Sequence, residues 1–84
     1  MNFPKIAEQV IEKLGGKNNI ATAAHCATRL RIVLNDESKV DKEGIEAIEG
    51  VKGQFSVAGQ YQIIFGSGTV NKVHKQLTKQ LGIG

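Results

Sequence analysis

Ile6, Ala7, Val10, Ile11 and Leu14 fall on one stripe at helical spacing, Pro4 suits a first helical turn and Gly15-Gly16 ends the pattern, so a helix is predicted over 3–14. After Lys17-Asn18-Asn19, the Ala-rich segment from Ile20 to Ala24 reads as a short strand. From Thr28 to Leu34 the period changes to two, with Leu30, Ile32 and Leu34 on one face and Arg29, Arg31 and Val33 on the other. Asn35 to Lys39 is a polar turn. Asp41 is placed to cap a second helix running to Gly50, with Val40 and Ile45 as a hydrophobic staple.

Gly53–Ala58 and Gln60–Phe65 bracket Gly59 as a β-hairpin, with Phe55 and Val57 alternating with polar residues in one arm and Tyr61, Ile63 and Phe65 in the other. Gly66-Ser67-Gly68-Thr69 reads as a loop and N-cap, because it lacks the lysine and spacing of a phosphate-binding P-loop. Val70, Val73, Leu77 and Leu81 then repeat as a last helix that stops at Gly82. His74 falls on its polar side and is expected to be solvated. The fold expected is α+β: an α-β-β-α-β-β-α two-layer sandwich whose four-stranded antiparallel sheet has three helices on one face and the other face free. Residues 1–81 form the single domain expected, with 82–84 as a frayed end or the start of a linker.

The chain has 84 residues, enough for one core that buries roughly 60–65% of the unfolded surface. One Cys excludes an internal disulfide, and with two His it leaves too few soft ligands for a closed zinc site, so neither metal nor other cofactor is expected. The longest apolar runs span a few residues, against the ~20 needed to cross a bilayer, so no direct membrane insertion is expected. Met1-Asn2-Phe3-Pro4-Lys5 lacks the layout of a secretory signal, and a reducing, cytoplasmic setting is expected.

Charge is segregated. Six of the eight acids (Asp36, Glu37, Asp41, Glu43, Glu46 and Glu49) lie within 35–49 with two of the eleven Lys and Arg, which leaves nine basic residues and two acids elsewhere. An electropositive side suits an anionic ligand or an acidic partner.

Candidate chemistry converges on His25-Cys26-Ala27-Thr28-Arg29-Leu30-Arg31. Arg29 and Arg31, two apart on a strand, project from one face about 6.6 Å from each other. Fixed positive charges lower a nearby thiol's pKa, and planar guanidinium forks suit phosphoryl oxygens. The competing reading is a small buried Cys26 beside a solvated strand face.

Asn19-Ile20, the stretch 25–31, Leu34 and Asp36 together resemble the phosphorylation-site signature of IIB domains of the bacterial phosphoenolpyruvate-dependent sugar phosphotransferase system, glucose and sucrose superfamily. The resemblance continues through Gly50-Val51-Lys52-Gly53, 59–66 and 68–73; the stretch 51–66 is most similar to sucrose permeases, then trehalose and β-glucoside types.

The resemblance implies that Cys26 attacks a phosphohistidine on a IIA protein or domain, becomes a phosphocysteine, and passes the group to a sugar held by a membrane-embedded IIC domain, to which IIB is commonly fused. It implies that Arg29 and Arg31 assist the second transfer, in line with a reaction governed by positioning and charge neutralisation. Backbone amides from Ala27 through Thr28 to Arg29 are candidates for an anion-binding nest. His25 either tunes the thiol or fills the loop or a partner contact. Gly59 and Gln60 either reach the phosphate loop or a partner, or form an ordinary hairpin turn.

Two other function classes compete. A small basic α/β nucleic-acid-binding module would use the same charge, but without Trp, and with one Tyr and three Phe, a base-stacking platform is lacking and no nucleic-acid partner is expected. A redox-sensing thiol would use the same low pKa, but there is no resolving Cys.

Overall fold

A computed structural model describes residues 1–83. Helix α1 (Phe3–Lys13) begins where the Asn2 side chain accepts from the Lys5 N–H, and it buries Ile6, Ala7, Val10 and Ile11. Strands β1 (Ile20–His25) and β2 (Arg29–Leu34) form an antiparallel pair with an irregularity between Ile20 and Thr22. Asp41 caps α2 (Lys42–Glu46) by accepting from the Gly44 N–H. Strands β3 (Gly53–Val57) and β4 (Gln60–Ile64) make a hairpin, and α3 (Thr69–Leu81) closes the chain.

The sheet order is β1-β2-β4-β3, all antiparallel. Leu30, Ile32, Tyr61 and Ile63 point to one side and share a core with Val10 and Leu14 of the first helical segment, Ile45 of α2, and Val70, Val73 and Leu77 of α3. The α+β sandwich expected from the pattern is the one observed.

Several details differ. The second helix stops at Glu46 rather than Gly50, and within it Gly44 lies close to α1: a Cβ there would sit 2.6 Å from Lys13 Cδ and 2.5 Å from the capping Asp41 Oδ2. Tight turns then carry the chain on, with Ile48 N–H donating to Ile45 O at 3.0 Å and Val51 N–H to Ile48 O at 3.2 Å.

Strand β3 reverses the expected polarity. Phe55 pairs with Gln62 and Val57 with Gln60, so these apolar side chains lie on the open face, 37% and 46% exposed. The polar Gln54 and Ser56 occupy the helix side at the sheet edge, where Gln54 Nε2 donates to the Lys42 carbonyl and Ser56 Oγ to Glu37 Oε1. At the C-terminus, Gly82 adopts a left-handed conformation (φ 73°), with Gly82 N–H donating to Lys79 O and Ile83 N–H to Thr78 O. Those two residues are held in a Schellman-type cap rather than frayed. Gly84 lies outside the described residues.

Candidate functional site

The β1–β2 connection is a tight turn in which the Cys26 N–H donates to the Arg29 carbonyl at 3.0 Å. It is tied to the next strand by Phe65 N–H, which donates to Thr28 O at 2.7 Å. This geometry turns the Thr28 and Arg29 amides toward the Cys26 sulfur. Those two backbone N–H groups are the largest influences holding the thiol below its ordinary pKa of 9.0; partial desolvation opposes them, and hydrogen bonding and charge from Arg31 add to them. The amides at Thr28 and Arg29 thus converge on the half-buried thiol.

The two arginines share a face, as their spacing requires, but have different surroundings. Arg31 is exposed and acts on the Cys26 sulfur. Arg29 donates from Nη1 to Gln62 Oε1 at 2.9 Å, and its guanidinium carbon lies 4.8 Å from the centroid of the Phe55 ring. Gln62 is buried and in turn donates from Nε2 to Gln60 Oε1 at 3.4 Å. Gln62 and Phe55 are therefore parts of the arginine face that their sequence context did not single out.

Cys26 opens onto a cleft of about 280 Å³ lined also by His25, Ala27, Ser67, Gly68, Val70 and Asn71. The Gly66–Thr69 loop, read from sequence only as a loop and cap, is thus one wall of the Cys26 cleft. Gly68 (φ 82°) precedes α3 with no side-chain cap hydrogen bond, so its N-cap is backbone alone.

Gly59 is at the other end of the molecule. Cys26 precedes Arg29, which pairs with Ile64 at the end of β4, whereas the hairpin turn at Ala58-Gly59 joins the start of β4, about 13 Å away along the strand. Contact between Gly59 and the Cys26 turn is ruled out by strand order, while Gln60 meets the arginine face through its hydrogen bond with Gln62.

His74 also departs from expectation. It is half-buried, its Nε2 lies 3.2 Å from the Ala23 carbonyl, and its ring centroid is 4.5 Å from that of His25. The reason is its place one helical turn after Val70 and Asn71, on the edge of α3 that flanks β1. Among the described residues no group of three or more His, Cys, Asp or Glu could hold a metal, and no helix is long and apolar enough to cross a membrane.

Residues 8–41 match the family model for the phosphotransferase system, EIIB. The chain is 75% identical over 84 residues to the sucrose-specific EIIBC component of Pasteurella multocida (strain Pm70), which covers 100% of this chain and 18% of that protein. It is 56% identical over 80 residues to the trehalose-specific EIIBC component of Bacillus subtilis (strain 168), 95% of this chain and 17% of that protein. The chain thus spans under a fifth of the length of these curated relatives.

Among solved structures, one domain of the PTS system IIabc component from Clostridium difficile superposes with a TM-score of 0.87 at 43% identity, covering 92% of this chain and 80% of that one. With sequence and fold in agreement over nearly the whole length, the chain belongs to the EIIB family of the phosphotransferase system.

Proposed function

We propose that Cys26 is a phosphoryl carrier between a phosphohistidine on a IIA protein or domain and a sugar held by a IIC membrane domain. In the first step the Cys26 thiolate attacks phosphorus, an S–P bond forms, the N–P bond breaks, and the donor imidazole, already protonated on its other ring nitrogen, leaves as the neutral ring. In the second a sugar hydroxyl attacks phosphorus, the S–P bond breaks, the hydroxyl proton is released and the thiolate is regenerated.

The observation that carries this reading is the thiol set against the Thr28 and Arg29 amides with Arg31 alongside, a cradle for both a thiolate and the phosphoryl group it would bear. Arg31 is free to meet phosphoryl oxygens, and Arg29 would swing from Gln62 to neutralise charge as the group departs. Sucrose is the sugar we assign, because the relatives most similar to this chain include sucrose-specific EIIBC components of several bacteria. Because these relatives are fused EIIBC proteins, we assign the domain a IIC partner and a position at the cytoplasmic face of the cell membrane.

The nucleic-acid alternative gains nothing. On the open sheet face Phe55 is the one aromatic side chain among the described residues and is already covered by Arg29, while Tyr61 is buried on the other side. The test is to charge the chain from phosphoenolpyruvate through the general phosphotransferase proteins and a IIA donor, then add membranes carrying a sucrose IIC domain. Sucrose phosphate should form with the wild type and not with Cys26→Ser; equal formation with both would overturn the proposal.

A further inference from the structure

His25 and His74 come from distant parts of the chain and meet beside the Cys26 turn, with ring centroids 4.5 Å apart and planes tilted by 48°. Each also faces a backbone carbonyl: His25 Nδ1 lies 3.1 Å from Cys26 O, and His74 Nε2 lies 3.2 Å from Ala23 O. A carbonyl oxygen only accepts, so each contact is a hydrogen bond when the proton sits on Nδ1 of His25 and on Nε2 of His74. The carbonyl partners thus specify opposite tautomers in the two rings.

We propose that His74 is a positioning residue for the Cys26 turn: it packs against His25, and His25 then donates from Nδ1 to hold the Cys26 carbonyl away from the sulfur. His25 is largely exposed, and a hydrogen bond from an exposed side chain to its neighbour's carbonyl is readily exchanged for water. His74 is half-buried and anchored to β1 across 51 residues of sequence, so it supplies the rigid surface that His25 lacks. The arrangement matters because the Cys26–Ala27 peptide leads directly into the turn whose Thr28 and Arg29 amides act on the sulfur. A carbonyl turned toward a thiolate would set two electronegative atoms against each other and disfavour the charged form. His74 is not among the residues lining the Cys26 cleft and acts through His25 alone.

The proposal rests on Cys26 being the reacting group, so its test has readouts that need no phosphoryl transfer. Long-range proton–nitrogen NMR of the imidazoles reports the tautomers, and iodoacetamide reports Cys26 reactivity, for the wild type, His74→Ala and His74→Gln. In the wild type His25 should read as the Nδ1–H form and His74 as the Nε2–H form. His74→Ala should give His25 a mixture of tautomers and slow both alkylation and the kcat of phosphoryl acceptance by about three- to tenfold, with the KM for the IIA donor unchanged. His74→Gln, whose amide can donate to the Ala23 carbonyl, should recover most of the rate.

An Nε2–H form for His25 in the wild type would overturn the proposal, as would a His74→Ala protein with unaltered tautomer and alkylation, or a change confined to KM. The expected tautomer and alkylation effects of His74→Ala beside a wild type that accepts no phosphoryl group would count against the carrier function and leave the positioning intact.

Discussion

Arg29 and Gln62 are diagonal neighbours across the β2–β4 ladder, and the guanidinium Nη1 donates to the buried Gln62 Oε1 at 2.9 Å while the same group covers Phe55. The consequence is a division between the two arginines: Arg31 stands free beside Cys26 and Arg29 is held over the middle of the open face. Gln62→Leu removes a hydrogen bond to a charged donor and should lower stability by about 1–2 kcal/mol in urea unfolding. It should leave phosphoryl acceptance within about twofold and slow transfer to sugar, measured as single-turnover discharge of the phosphorylated domain. Arg29→Lys should show the same split, because an ammonium replaces the planar fork that both Gln62 and a phosphoryl group use.

Arg31 lowers the Cys26 pKa less than the two backbone amides do. Arg31→Ala should therefore move the pH profile of iodoacetamide alkylation upward while keeping it below that of the urea-unfolded chain. Arg29→Ala should move it less, since the variant retains the residue 29 amide. A profile equal to the unfolded one in Arg31→Ala would show that the amides do not act as described.

The same shift has a stability signature. The folded thiol ionises below the ordinary value of 9.0, so between the two pKa values the unfolded chain binds more protons, and raising the pH favours the fold. This contribution is fully present above the unfolded pKa and is lost as pH falls through the folded one. The wild type should gain stability relative to Cys26→Ala as pH rises from the folded thiol's pKa toward 9.0, with the difference level above it, read from urea midpoints.

Asn19 is the structural member of the signature stretch. Its Nδ2 donates to Leu14 O at 2.7 Å and Asp36 O at 2.9 Å, and its Oδ1 accepts from Asp36 N–H at 2.8 Å, joining the end of α1 to the chain leaving β2. Asn19→Ala leaves these partners unpaired in a buried position and should cost about 2–4 kcal/mol. Asn19→Asp should fold no better, because it sets a carboxylate against two carbonyls.

Legibility in the sequence followed how local each signal was. The α1 stripe from Ile6 to Leu14, the alternation of Leu30, Ile32 and Leu34, and the Asp41 cap are each decided within one turn or strand, and the structure holds them. Strand β3 was misleading because an edge strand can place Phe55 and Val57 outward when an arginine covers one of them, a circumstance set by β2. Gly59 was legible as a turn, but its distance from Cys26 depends on the β1-β2-β4-β3 order, which no local pattern specifies. His74 sits between Val73 and Lys75 on the boundary of the α3 stripe, where burial depends on what β1 brings alongside. Cys26, Arg29 and Arg31 were readable because they are contiguous; Ser67, Gly68 and Asn71, which complete the cleft, come from 40 or so residues later and only folding joins them.

The most direct test of the account is the intact mass of the chain after incubation with phosphoenolpyruvate, the general phosphotransferase proteins and a IIA donor, beside Cys26→Ser. The account predicts a gain of one phosphoryl group in the wild type and none in the variant. No gain with several competent donors, or an equal gain in Cys26→Ser, would contradict it.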